Sequence, residues 1–320
     1  MPSIAARGIC CVSSELGVAL SGGGSRGLAQ LGVLKVLDRE GIPVSSVAGT
    51  SAGAIVGSLY VTSRDAVEAE ARLLAHLADR STLVNSPLLA FFGPGAPART
   101  AGVIELVRNV WNAVRPGGSI VGGEALRESL QALLGDATFA NARLPFATTA
   151  LDLVSGRRMI FAAGGLVDAV YASSAIPGLF EPLALEEHRL VDGGWAEPVP
   201  VGTCHHLGAI HVIAVEVPNA SVYRQEAHAV STALCADALA RNLLEEEQLR
   251  KADFVIRVDA PARAFSDFED IQPLISAGEA AAERVLDDIK AVLTHHRSLF
   301  VRSPAPSSGS GTLAIPDGVP

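Results

Sequence analysis

The residues able to do chemistry in this chain sit among glycines. Ser51 stands in "GTSAG", flanked by Gly49 and Gly53, with Thr50 and Ala52 on either side. This is the G-x-S-x-G pattern of a nucleophile elbow, a sharp strand-to-helix turn that lifts a hydroxyl clear of the sheet edge. A serine there also lies at a helix N-terminus, where unpaired N–H groups and the helix dipole favour negative charge. Attack on an ester carbonyl needs that environment. The five residues fit a plain helix N-cap equally well.

A second cluster is "SGGGSRG". Gly22, Gly24 and Gly27 satisfy G-x-G-x-x-G, which after a strand and before a helix is a dinucleotide fingerprint. That fingerprint calls for an acid about 20 positions on, at the end of the next strand. Here the next strand ends in "VAGTSAG", and Asp38 and Glu40 fall before it. The loop therefore points away from a ribose-bearing cofactor. Consecutive Gly22, Gly23 and Gly24, followed by Ser25 and Arg26, leave backbone N–H groups unshielded, as an oxyanion hole requires. A third cluster is "RLVDGG", where Asp192 ends a strand-like run before Gly193 and Gly194. Aspartate before glycine is common in turns. At the same sheet edge as Ser51 it would instead accept the serine proton.

The elements that must position these residues follow from the apolar pattern. "LGVALSG" reads as a buried strand, and Leu28, Leu31, Leu34 and Leu37 then recur at helical spacing. "VSSVAG" is the next strand and Ser51 opens the next helix. The order β-α-β-α predicts a parallel sheet with right-handed crossovers, which brings both glycine loops to one edge. Residues 64–142 read as mostly helical. "LPFATTALDLVSGRRMIFAAGG" reads as a hairpin, "DAVYASSAIPGLF" as a short helix broken at Pro177, and "HRLVDGG" and "AIHVIAVEV" as strands. Two helices are expected near 227–250 and 273–297, with the strand "DFVIRV" between them, and 303–320 reads as a disordered tail.

Composition bounds the function. The 320 residues are 49% hydrophobic with a net charge of -9, so no basic field points to nucleic acid. The four cysteines, Cys10, Cys11, Cys204 and Cys235, show no metal spacing and read as reduced thiols. No apolar run reaches the ~18 residues that would span a bilayer, and no leader is legible. A cytoplasmic or peripherally membrane-associated protein is expected.

"GGGSRG", "GTSAG" and "DGG", in this order, resemble the patatin-like phospholipase family, and "ASSAIPGLFEP" is similar to its bacterial members. The likeness covers roughly residues 15–215. It implies a three-layer α/β/α sandwich with a mainly parallel central sheet, and a lipid acyl-ester hydrolase that uses a Ser-Asp dyad and no metal or cofactor. By this resemblance Ser51 is the nucleophile and Asp192 the general base. The oxyanion hole lies in Gly22–Gly27, with the N–H groups of Gly23 and Gly24 as donors. Arg26 matches the family's basic position, in a structural or an anion-attracting role. Residues 216–302 are expected to continue the same globule.

Three rivals are distinguishable. A Ser-His-Asp hydrolase would draw on His205, His206, His211 or His228. His188 precedes Asp192 by four residues and so lies ~13 Å from it along an extended strand. An imidazole base would place the acidic limb of the pH profile near pH ~6–7, and a carboxylate would set its own. A dinucleotide oxidoreductase lacks its acid, and a lipid-binding relic would show no turnover. "NSPLLAFFGPGAP", within 86–97, reads either as a lid or as a buried elbow between helices, and apolar side chains of this kind favour the buried elbow.

Overall fold

The computed structural model describes residues 16–78, 123–218, 229–262 and 267–300. Strand β1 (Leu16–Leu20) is buried along its whole length, as an inner strand of a parallel sheet must be. The glycine loop and a 3₁₀ turn, Gly24–Ala29, lead into α1 (Gln30–Arg39). The helix thus starts two residues later than the leucine spacing predicts, although Leu28, Leu31, Leu34 and Leu37 are all buried. Then follow β2 (Ser46–Gly49), α2 (Ala52–Thr62) and α3 (Ala66–Ala78). Beyond α4 (Glu124–Leu134), the expected hairpin forms as β3 (Phe146–Asp152) and β4 (Arg158–Phe161). Helix α5 (Leu166–Ser174) stops ahead of Pro177. Strands β5 (Leu183–Leu185) and β6 (His188–Asp192) make a second hairpin. Helix α6 (Val201–His206), β7 (His211–Glu216), α7 (Ala229–Leu249), β8 (Phe254–Arg257) and α8 (Gln272–Phe300) complete the order.

The sheet runs β5-β6-β3-β2-β1-β7-β8, with β4 also paired to β3. Strands β3, β2, β1, β7 and β8 are parallel, whereas β4 and β6 run antiparallel to β3. Alternation of side chains gives the sheet two apolar faces. Leu20 and Phe146 lie under Gly57 of α2. Ala19, Ala48, Val212 and Ala214 point the other way and pack with Val201 and Cys204 of α6 and Leu249 of α7. The result is the three-layer α/β/α arrangement. The chain divides into two packed units at Val285–Leu286, so the second begins within α8. No helix among the described residues is long and apolar enough to cross a membrane. The 86–97 segment, the 303–320 tail, Cys10, Cys11 and His228 lie outside the described residues.

Register on β3 explains how the sheet brings distant residues together. Thr148 pairs with Gly49 of β2 and with Phe161 of β4. Ala150 pairs with Asp192 of β6 and with Met159 of β4. A strand has two edges, so β4 occupies one while β2 and β6 share the other. Because β2 runs with β3 and β6 runs against it, their C-terminal ends point at each other and stop on either side of Thr149.

Candidate active site

Ser51 lies two residues past the end of β2 and Asp192 is the last residue of β6, so the shared edge of β3 brings them face to face. The Ser51 hydroxyl donates to Asp192 Oδ2 at 2.6 Å. The other carboxylate oxygen, Oδ1, accepts the backbone N–H of Gly194 at 2.7 Å. Gly193 and Gly194 form a short 3₁₀ turn with Trp195, which aims that N–H back at the side chain. One oxygen is thus anchored by its own turn and the other is committed to the serine.

Ser51 is no ordinary N-cap. Its hydroxyl makes no bond to the first turn of α2, and its backbone adopts φ 55° and ψ -118°. A non-glycine residue in that region stores roughly 1–3 kcal/mol of strain, so the surroundings must hold it. Ser51 N–H donates to Ser173 Oγ of α5 at 3.0 Å, and Thr50 N–H to Leu20 O at 3.0 Å. Gly53 N–H reaches Ser21 O at 3.1 Å. The elbow passes so close to β1 that a Cβ on Gly53 would overlap the Leu20 carbonyl, and one on Gly49 would overlap Gly53. Ala52 is buried for the same reason, since a Cβ on Gly27 would fall 2.5 Å from its methyl group.

The glycine loop crosses directly over the serine: a Cβ on Gly22 would sit 3.7 Å from Ser51 Cβ. Gly23 and Gly24 have φ of 147° and 58°, which turns the loop sharply. Gly22 N–H is taken by Pro198 O at 3.1 Å, while those of Gly23 and Gly24 meet no backbone acceptor among the described residues. The loop is braced from below. Gln30 Nε2 donates to Ser21 O at 2.8 Å, and Ser21 Oγ accepts Val217 N–H at 3.2 Å. Ser25 is buried and Arg26 half-buried, where desolvation lowers the guanidinium pKa.

Burial also shapes the electrostatics of the pair. Asp192 is 3% exposed, and desolvation raises its pKa from 3.8 to about 6, against the hydrogen bonds from Ser51 and Gly194 and the charge of Arg241. The expected separation of carboxylate and imidazole limbs therefore disappears, because the buried acid titrates where a histidine would. The candidate histidines among the described residues make their contacts elsewhere. His188 Nδ1 bonds Asp152 Oδ2 at 2.8 Å, His205 bonds Ala209 O at 2.9 Å and His211 bonds Asp253 at 3.0 Å, while His206 is exposed.

A serine on a strained turn, a buried carboxylate 2.6 Å from it and a glycine loop overhead form one constellation. The family model described as patatin-like phospholipase matches residues 18–205. The chain belongs to the patatin-like phospholipase family. Its relatives within curated proteins include neuropathy target esterase sws of Drosophila melanogaster, 27% identical over 206 residues, which cover 64% of this chain and 13% of that protein. Lysophospholipase NTE1 of Scheffersomyces stipitis is 27% identical over 208 residues, covering 65% of this chain and 12% of its own length. This chain thus spans a small part of those relatives. Among solved structures, VipD from Legionella pneumophila aligns at a TM-score of 0.48 with 15% identity, over 86% of this chain and 67% of that one.

All three patatin-like motifs converge at one sheet edge, as the sequence predicts. Sequence reasoning did not assign a role to Ser173, Thr149 or α7. For Ser173 the signal was a hydroxyl inside the apolar run "DAVYASSAIP"; for α7 there was none.

Proposed function

We propose that this patatin-like chain hydrolyses acyl esters of lipids, with phospholipids or lysophospholipids as its substrate class. Ser51 is the nucleophile and Asp192 the general base. As Ser51 Oγ attacks the carbonyl carbon, its proton passes to Asp192 Oδ2 and the carbonyl oxygen takes the negative charge. The backbone N–H groups of Gly23 and Gly24 receive that charge. Collapse expels the alcohol, which takes the proton back from Asp192, and leaves an acyl-serine. Water then repeats the sequence under the same base and releases the fatty acid.

The observation that carries this reading is the 2.6 Å Ser51–Asp192 hydrogen bond on a strained elbow. A carboxylate is a weak base for an alcohol. Burial offsets part of that weakness by raising Asp192 to about 6, which leaves it mostly ionised at neutral pH and a better proton acceptor than an exposed aspartate. The names of the relatives, an esterase and a lysophospholipase, support the substrate class.

The test is a fluorophosphonate label mapped by mass spectrometry, paired with a fatty-acid release assay over phospholipid, lysophospholipid, triacylglycerol and p-nitrophenyl esters. The adduct is expected on Ser51, with release from the phospholipid classes and none from Ser51→Ala. Labelling at Ser25, Ser173 or Ser174, or turnover in Ser51→Ala, would refute the assignment.

A further inference from the structure

Helix α7 (Ala229–Leu249) lies beyond the residues matched by the family model, yet it holds the turn that follows Asp192. Trp195 Nε1 donates to Asp237 Oδ1 at 2.9 Å. Arg241 Nε donates to Asp237 Oδ2 at 3.1 Å, and its guanidinium lies 4.4 Å from the centre of the Trp195 ring. Seven residues on, Gln248 Oε1 accepts Val199 N–H at 2.9 Å and its Nε2 reaches Ala196 O at 3.4 Å. Positions 237, 241 and 248 share one helical stripe, so a single face of α7 grips residues 195–199. From the other side the same segment is tied to the elbow, where the Thr50 hydroxyl donates to Glu197 O at 2.7 Å.

We infer that Arg241 is a positioning residue for Asp192, holding its turn through Trp195 and keeping a cation within electrostatic reach of the carboxylate. This rests on the reading of Asp192 as general base. Three groups act on the ionised carboxylate: the Ser51 hydroxyl, the Gly194 N–H and the Arg241 charge. Among the described residues, the other charged groups beside the turn are tied to one another: Glu197, within the gripped segment, pairs with Arg158 of β4 at 2.8 Å and accepts the Thr203 hydroxyl at 2.5 Å. Strand β3 offers Thr149 and Ala150, and its Asp152 is tied to His188 at the far end of β6. Helix α5 offers Ser173, Ser174 and the Ala175 carbonyl, which accepts Asp192 N–H at 2.9 Å. Arg241 itself faces Asp237 and Glu245 on its own helix. A cation at this position favours the ionised base, so removing it pushes the titration upward.

The experiment is the pH dependence of kcat and kcat/KM on a p-nitrophenyl ester, using the full chain and Ser51→Ala, Arg241→Gln, Arg241→Lys and Asp237→Asn. Arg241→Gln is expected to move the acidic limb up by about half a pH unit, the scale of one partly solvated charge, and to lower kcat more than it alters KM. Arg241→Lys keeps the limb in place. Asp237→Asn leaves the cation uncompensated and moves the limb down, which tests the idea even where Arg241→Gln fails to fold. A uniform loss of rate at every pH, with the limb fixed in the folded variants, would overturn the inference while Ser51→Ala stays inactive. Activity in Ser51→Ala would overturn the serine reading and this inference with it.

Discussion

Thr149 Oγ1 and Thr50 Oγ1 lie 2.8 Å apart in the core, and the direction of that hydrogen bond is fixed. Thr50 has one hydroxyl proton, which goes to Glu197 O at 2.7 Å. A carbonyl only accepts, so Thr149 must be the donor to Thr50. The relay Thr149, Thr50, Glu197 ties β3, the elbow and the segment after Asp192 to one another. Thr50→Val keeps the shape and removes both bonds. It should cost about 1–3 kcal/mol by leaving buried partners unmet, and should lower kcat, because the serine and its base are no longer held in one register. Thr50→Ser should restore both. Urea melts and initial rates on the three proteins would check this; equal kcat in Thr50→Val and the parent would contradict it.

The two loop glycines should differ in their response to alanine. A φ of 147° at Gly23 is closed to an L-residue, whereas 58° at Gly24 is the left-handed region, open at about 1–2 kcal/mol. Gly23→Ala must therefore re-aim its N–H, and the loss of one oxyanion donor typically costs ~10²–10³ in turnover. Gly24→Ala should lose less. Steady-state kcat ranks the pair, and the reverse order would argue against an oxyanion role for this loop.

Asp192→Asn should abolish turnover and yet stabilise the protein at neutral pH. Because the folded pKa lies near 6, above the ordinary 3.8, the native state holds a proton between those values that the unfolded chain has lost. Stability therefore falls as pH rises from about 4 to about 6, and the deficit persists above that window. The neutral amide removes the deficit, on the order of 3 kcal/mol. A thermal melt at pH 8 should show Asp192→Asn unfolding at or above the temperature of the parent. A clear drop would mean that the ionised carboxylate is a net stabiliser.

His188→Ala should remain active and lose stability mainly in acid. The buried Asp152 carboxylate beside it raises the His188 pKa, so the pair contributes fully below the unfolded histidine pKa and fades as pH rises through the folded one. The melting-temperature gap between His188→Ala and the parent should be larger at pH 5.5 than at pH 9. Loss of turnover in a folded His188→Ala would reopen a histidine-based mechanism.

Much of this site was legible in the sequence because its constraints are local. A glycine next to the serine, or three in a row after a strand, reports a crowded or sharply turned backbone whatever lies around it. Asp192 was legible as a turn residue, but its meeting with Ser51 depends on the register of β2 and β6 along β3, which no local pattern encodes. Two elements escaped notice. β5 has three residues and, among the described strands, pairs only with β6. α6, "VGTCHH", carries glycine and β-branched residues of poor helix propensity and forms because Val201, Thr203 and Cys204 are buried against the sheet. The grip of α7 on Trp195 joins residues 42 apart through an indole-to-carboxylate hydrogen bond, with the Arg241 guanidinium stacked on the ring, which sequence spacing does not reveal.

The meeting of β2 and β6 on one edge of β3 also sets the order in which this protein becomes competent during folding. Neither strand alone joins Ser51 to Asp192, and 141 residues separate the two halves of the pair. Contacts of such long range close late, after local helices and hairpins have formed. A slip of β6 by one residue would turn Asp192 to the opposite face of the sheet and leave the elbow intact but inert. Reactivity of Ser51 towards a covalent probe thus reports on correct pairing at the centre of the sheet, and in refolding it should return after helical content does.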